Sequence, residues 1–222
     1  MNYRDMKIEK LYYVQDALCG WCYGMSPVIA RLYEEHRQDY TFEVLSGGMI
    51  RGNNVRPISG MADYIRQVEP RLQEITGVKL TDTYHREVLD KGTYLTNSEP
   101  PAVAMAILKE QYPELQVPLA AAIQKLHFEE GKDLNEVEAY MTVVRAFGAD
   151  EDGFREKFND SNYLEKARRE FELVENWGIN GFPAVVCQAG EKLYLVARGY
   201  QPYDQLTQTL EQVRQEAAAA GK

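Results

Sequence analysis

Cysteine is scarce in this chain. There are three in 222 residues, an odd number, at positions 19, 22 and 187. That count excludes a scaffold stapled by several disulfides. Histidine is equally scarce, and His36, His85 and His127 are scattered, with no second close cysteine pair near them. A structural zinc site draws four ligands from two close Cys/His clusters, so zinc is disfavoured. Positive charge is in deficit, with 25 Lys and Arg against 34 Asp and Glu and a net charge of −9. Phosphate recognition needs a basic face, so no nucleic-acid partner is expected, and no anionic membrane surface either. No apolar run is long enough to span a bilayer. The opening MNYRDMKIEK is polar and lacks the apolar core of a secretory signal, so a cytoplasmic location is expected.

What is present suits a soluble chain with a real core: 45% apolar residues and 27% charged. The length fits one large domain or a core fold carrying an insertion. Residues 9–15, rich in Tyr and Val, read as a strand. From Cys22 to about His36, Met25, Ile29, Leu32 and Tyr33 recur at helical spacing. Residues 41–48 read as a second strand stopped by Gly47 and Gly48, and 51–60 as a loop. Helical periodicity then fills 61–76, 83–91, 101–112, 117–130, 134–147 and 161–177. Within that block Ser98 is a candidate helix cap ahead of two prolines. Residues 183–188 and 192–199 form an expected hairpin joined by AGE, and 202–217 a closing helix with Leu206, Leu210 and Val213 on one stripe. The last six residues, AAAAGK, are expected to fray.

The chemistry concentrates in DALCGWCYGMSP, residues 16–27. Three readings of Cys19 and Cys22 compete. Two buried structural thiols is one, but Gly20 and Trp21 between them suit a partly exposed first helical turn better than a helix interior. A zinc site of Cys19, Cys22, Cys187 and one histidine is another, weakened because Cys187 lies in an apolar strand. The favoured reading is redox. A sulfur at a helix N-terminus faces unpaired N–H groups and the positive end of the helix dipole, which favour the thiolate. Cys19 would then be the exposed attacker and Cys22, one turn in, the shielded resolving thiol. Pro27, five residues past Cys22, removes a backbone hydrogen bond within the same helix.

The CxxC at the end of the first strand, with proline five residues on, resembles the active-site helix of the thioredoxin fold. WGINGFPAVV, 177–186, is similar to that fold's cis-proline strand, with Pro183 in the cis position. The helical block between the halves resembles the DsbA-like thioredoxin family. CGWC, YGMSP, SGGM and NSEPP look closest to its FrnE-like branch, whose members are described as predicted protein-disulfide isomerases. The resemblance implies an α/β thioredoxin fold with a large all-helical insertion between its βαβ and ββα halves. The discontinuous thioredoxin-like domain would be 1–58 with 178–222, and the insertion 59–177. It also implies Cys19 as nucleophile, Cys22 as resolving thiol, and a substrate strand docking at Phe182 and Pro183. Trp21 would add apolar surface for a peptide-like substrate. Where the best-known secreted members carry proline and histidine between the cysteines, this chain has Gly20 and Trp21, which counts against a strong-oxidant role.

Other residues have plainer readings. Asp16 is expected to cap the turn that follows it, with a proton relay to Cys22 as the rival. Cys187 and His127 read as buried structural residues, His36 and His85 as surface ones. The expected function is thiol–disulfide exchange on a disulfide-containing protein or peptide, with a thiol reductant as partner. No cofactor is expected. Two alternatives stay open: a glutathione-dependent isomerase or transferase of the kappa or hydroxychromene-carboxylate type, and a non-catalytic peptide-binding module.

Overall fold

The computed structural model describes residues 8–220. The first seven residues, part of the polar opening on which the expected location rests, lie outside them, as do the final two. Among the described residues, no helix is long and apolar enough to cross a membrane.

The chain opens with β1 (Ile8–Gln15), α1 (Gly20–His36) and β2 (Thr41–Ser46). It closes with β5 (Ala184–Ala189), β6 (Lys192–Arg198) and α9 (Tyr203–Ala220). These four strands form one sheet in the order β2-β1-β5-β6. β1 pairs parallel with β2 and antiparallel with β5, so Tyr13 stands opposite Val44 on one side and Val185 on the other. Strand residues alternate between two buried faces. Leu11, Tyr13, Val185 and Cys187 join the main core with Ile29 of α1 and Leu206 of α9. Val14, Ala184 and Val186 face the other way, against Val174 and Ile179. A sheet covered on both faces explains why β5 reads as an apolar run.

Between β2 and β5 lie α2 (Ala62–Thr76), α3 (Asp82–Tyr84, running into a π-helical turn at His85–Asp90), α4 (Glu99–Gln111), α5 (Gln116–Phe128), α6 (Met141–Ala146), α7 (Glu151–Phe158) and α8 (Ser161–Asn176). The fold is therefore thioredoxin-like with a helical insertion. Several local expectations need correction. The helical insertion also carries one short strand: β4 (Leu95–Thr96) pairs antiparallel with β3 (Arg56–Pro57), which lies just ahead of the insertion. α7 was not expected. Its Gly153 dilutes the helical signal, yet a side chain there would put its Cβ 2.5 Å from the Asp150 carboxylate that caps the helix. The hairpin turn holds two residues, Gly190 and Glu191, with Gly190 at φ +61°. α9 runs on to Ala220 instead of fraying at 217. Ser98 occupies the N-cap position of α4 but makes no capping bond. The second and third helical residues, Pro100 and Pro101, have no N–H to offer a cap. Asn97 Oδ1 instead accepts from Glu99 N at 3.1 Å.

Candidate active site

β1 delivers the chain to a turn at Asp16–Leu18, and α1 begins immediately after Cys19. Cys19 is itself the N-cap, extended at φ −86°, ψ 111°. Its Sγ accepts a hydrogen bond from the Cys22 backbone N–H at 3.3 Å. The sulfur thus takes the place that a Ser or Asp side chain fills in an ordinary cap. Cys22 is fully buried one turn inside, and Tyr13 Oη donates to its carbonyl at 3.1 Å. Burial pushes the Cys22 thiol well above the usual range, with the bonded Cys19 sulfur adding to the effect. Both cysteines are free thiols.

Across from Cys19 lies the turn into β5. The Phe182–Pro183 peptide is cis. Cys19 Sγ–H donates to the Phe182 carbonyl at 3.6 Å, a distance permissible only because the donor is sulfur. The Phe182 ring needs Gly47 beside it, where a Cβ would fall 2.2 Å from ring carbon Cε1. Gly48, at φ +65°, does the same for the Phe171 ring, 2.6 Å away. The SGGM stretch is therefore a clearance for two aromatic rings.

Asp16 caps its own turn as expected, its Oδ1 accepting from Leu18 N at 3.0 Å. It does more. Oδ2 accepts from Met49 N at 2.8 Å, and the Ser98 hydroxyl also bonds the carboxylate. Ser98 Oγ in turn accepts from Ile50 N at 3.0 Å. The turn before α1, the glycine pair after β2 and the start of α4 are tied together at one buried carboxyl. Burial raises its pKa against the pull of those three donors.

The expected exposure of Cys19 is corrected, since the residue is only 5% exposed. The cause is α2, which lies across the first turns of α1. A Cβ on Gly20 would meet Leu72 at 3.6 Å, and one on Gly24 would meet Thr76 at 2.8 Å. Cys19 instead lines a cavity of about 250 Å³ that also takes in Trp21, Phe182 and the inner face of α2. Tyr64 and Met49, both exposed, stand on its wall and mark the side open to solvent. Trp21 is half-buried against the cluster that holds Leu72 and Tyr84. Of the five residues singled out by sequence, Cys19, Trp21 and Phe182 therefore share one cavity. Cys22 lies behind Cys19, and Pro183 is buried at the foot of β5.

The remaining candidates are structural. Cys187 is fully buried in β5, its thiol pushed up to about 11 by burial. The surface expectation for His36 and His85 is corrected, since both are half-buried: His36 lies 3.3 Å from Asp39 and His85 bonds Glu69 at 2.8 Å. The sequence reading missed the cavity wall contributed by α2, Tyr94 and His127. Gly20 and Gly24, spaced one turn apart on α1, were the available signal that another helix approaches closely there.

A family described as the DSBA-like thioredoxin domain matches residues 11–211. Among solved structures, a candidate protein disulfide isomerase from Nitrosomonas europaea is 25% identical, covering 95% of this chain and 99% of its own, with a TM-score of 0.80. Cytosolic disulfide reductase DsbM from Pseudomonas aeruginosa is 27% identical, covering 93% and 99%, with a TM-score of 0.76. The same protein with GSH matches at 26% identity over 92% and 99%, with a TM-score of 0.70. No curated protein matches the chain.

Proposed function

The chain belongs to the DSBA-like thioredoxin domain family, and on that premise we propose that it is a thiol–disulfide oxidoreductase with Cys19 as nucleophile and Cys22 as resolving thiol. One observation carries the reading. Cys19 Sγ caps α1, accepting the Cys22 N–H, and faces the Phe182 carbonyl across the cavity mouth. A helix N-terminus and an N–H donor both stabilise a sulfur anion more than a thiol.

The Cys19 thiolate attacks one sulfur of a substrate disulfide. The S–S bond breaks, one substrate thiolate leaves and takes up a proton, and Cys19 holds the other half as a mixed disulfide. Cys22 loses its proton and attacks the Cys19 sulfur, which releases the second substrate thiol. The protein is then oxidised by two electrons as a Cys19–Cys22 disulfide, and an external thiol returns it to the dithiol. Burial, with the Cys19 sulfur adding to it, raises the Cys22 pKa and so favours Cys19 as the first attacker. Trp21, Phe182 and Pro183 form the substrate-binding edge on this reading.

Reduction in the cytoplasm is the favoured direction. The likeness to a cytosolic disulfide reductase supports it, as does the absence of histidine between the cysteines. Disulfide reduction followed with the wild type and with Cys19→Ser tests the proposal. Loss of turnover in the variant is expected, and full retention would remove it. Cys22→Ser should accumulate the mixed disulfide on Cys19, visible in the intact mass.

A further inference from the structure

The cavity beside Cys19 has an unusual balance of groups. Its wall is apolar over most of its area, built from Trp21, Ile58, Ile65, Leu72 and Phe128 among others. Among the described residues that line it there is no Lys or Arg, and the one ionisable acid, Glu69, is held by His85. At the same time two residues that line it each carry a buried polar atom with no partner: Tyr94 Oη and His127 Nδ1. Tyr94 is 6% exposed and His127 1%. Their rings lie 4.9 Å apart between centroids and do not bond each other. Buried polar groups without a partner cost free energy, so such a pair marks a place where something else binds.

Burial keeps the His127 ring neutral, and its Nδ1 carries no bond; a neutral imidazole nitrogen accepts or donates according to the tautomer. Burial holds the Tyr94 phenol un-ionised, so its hydroxyl is free to donate. A single hydroxyl can serve both, since it accepts from Tyr94 with its oxygen and can donate to or accept from Nδ1 of His127.

We propose that this cavity is the specificity pocket for the group attached to the scissile disulfide, and that it takes an uncharged aromatic ring bearing one hydroxyl, anchored between Tyr94 and His127. The inference rests on Cys19 being the nucleophile. It adds that a phenolic substituent is preferred over a carboxylate-bearing one, because a carboxylate here meets Glu69 and no cation. Either a tyrosine beside a cystine or a small phenolic disulfide supplies this chemistry.

The test compares di(hydroxyphenyl) disulfide, diphenyl disulfide, glutathione disulfide and a tyrosine-flanked cystine peptide as substrates of the wild type and Tyr94→Phe. The hydroxyphenyl compound is expected to have the highest kcat/KM. Tyr94→Phe should lower that value by roughly 3- to 10-fold, the worth of one neutral hydrogen bond, and lower the values for diphenyl and glutathione disulfide by clearly less. If the peptide loses as much, tyrosine side chains are the source; if only the small compound does, small phenolic disulfides are. Equal losses on every substrate, or none on either phenolic one, would overturn the pocket assignment while leaving the exchange chemistry standing. No turnover of any disulfide would instead remove the underlying function. Binding of p-cresol to Cys19→Ser, read by Trp21 fluorescence, gives a readout free of exchange. It should weaken in Tyr94→Phe, and equal binding to both forms would count against the anchor.

Discussion

The sulfur of Cys19 lies 3.6 Å from the carbonyl oxygen of Phe182, a residue 163 positions away in sequence. The contact joins the first helix to the last hairpin. Gly47 leaves room for the Phe182 ring, and α2 packs against the first turns of α1. Three segments therefore set the position of one atom.

Gly47→Ala tests the first support. The new Cβ would fall within 2.3 Å of two ring carbons of Phe182, so the ring must move and carry its carbonyl with it. A stability loss of about 1–3 kcal/mol is expected from overpacking, read by urea unfolding. Thiol–disulfide exchange should slow by more than the loss of folded protein explains. Wild-type stability with wild-type exchange would show that the ring is not held as described.

The roof formed by α2 is tested by Leu72→Ala. Leu72 is 4% exposed and sits over Gly20. Truncation should cost about 2–5 kcal/mol. The gap it leaves opens the path to Cys19, so alkylation of the folded protein by iodoacetamide should speed up. An unchanged alkylation rate would mean that α2 does not restrict access to the sulfur.

His127 gives a pH signature. Burial lowers its pKa from 6.5 to about 4, so the folded protein keeps it neutral. The unfolded chain takes up a proton below about 6.5, and the folded chain does so only near 4. Its contribution to stability is complete above 6.5 and is lost as pH falls to about 4. The loss is on the order of 3 kcal/mol at about 1.36 kcal/mol per pH unit. Urea unfolding across this window should show the decline, and His127→Gln should flatten it. An equal slope in the variant would assign the decline to other groups.

Much of the frame was legible. The spacing of Met25, Ile29, Leu32 and Tyr33 set the buried face of α1, and Leu206, Leu210 and Val213 that of α9. These are local periodicities, and local packing satisfies them. CGWC and GFP, far apart in the chain, do meet, with Cys19 against Phe182. The burial of Cys19 was not legible, because it depends on how α2 crosses α1, a long-range contact whose trace in sequence is two glycines. The Asp16 network escaped for a similar reason: its donors come from Leu18, Met49 and Ser98, on three separate segments. Short α7 was hidden by its own Gly153, although Asp150 ahead of two acids was an available start signal.

The central claim is that Cys19 and Cys22 form a working redox couple. The most direct measurement is equilibration of the protein in graded thiol–disulfide buffers, followed by acid quench, alkylation and peptide mapping by mass. One reversible two-electron transition is expected, forming a single Cys19–Cys22 bond, with Cys187 alkylatable as a thiol throughout once unfolded. A pair that never oxidises in the folded protein, or a disulfide that recruits Cys187 instead, would contradict the account.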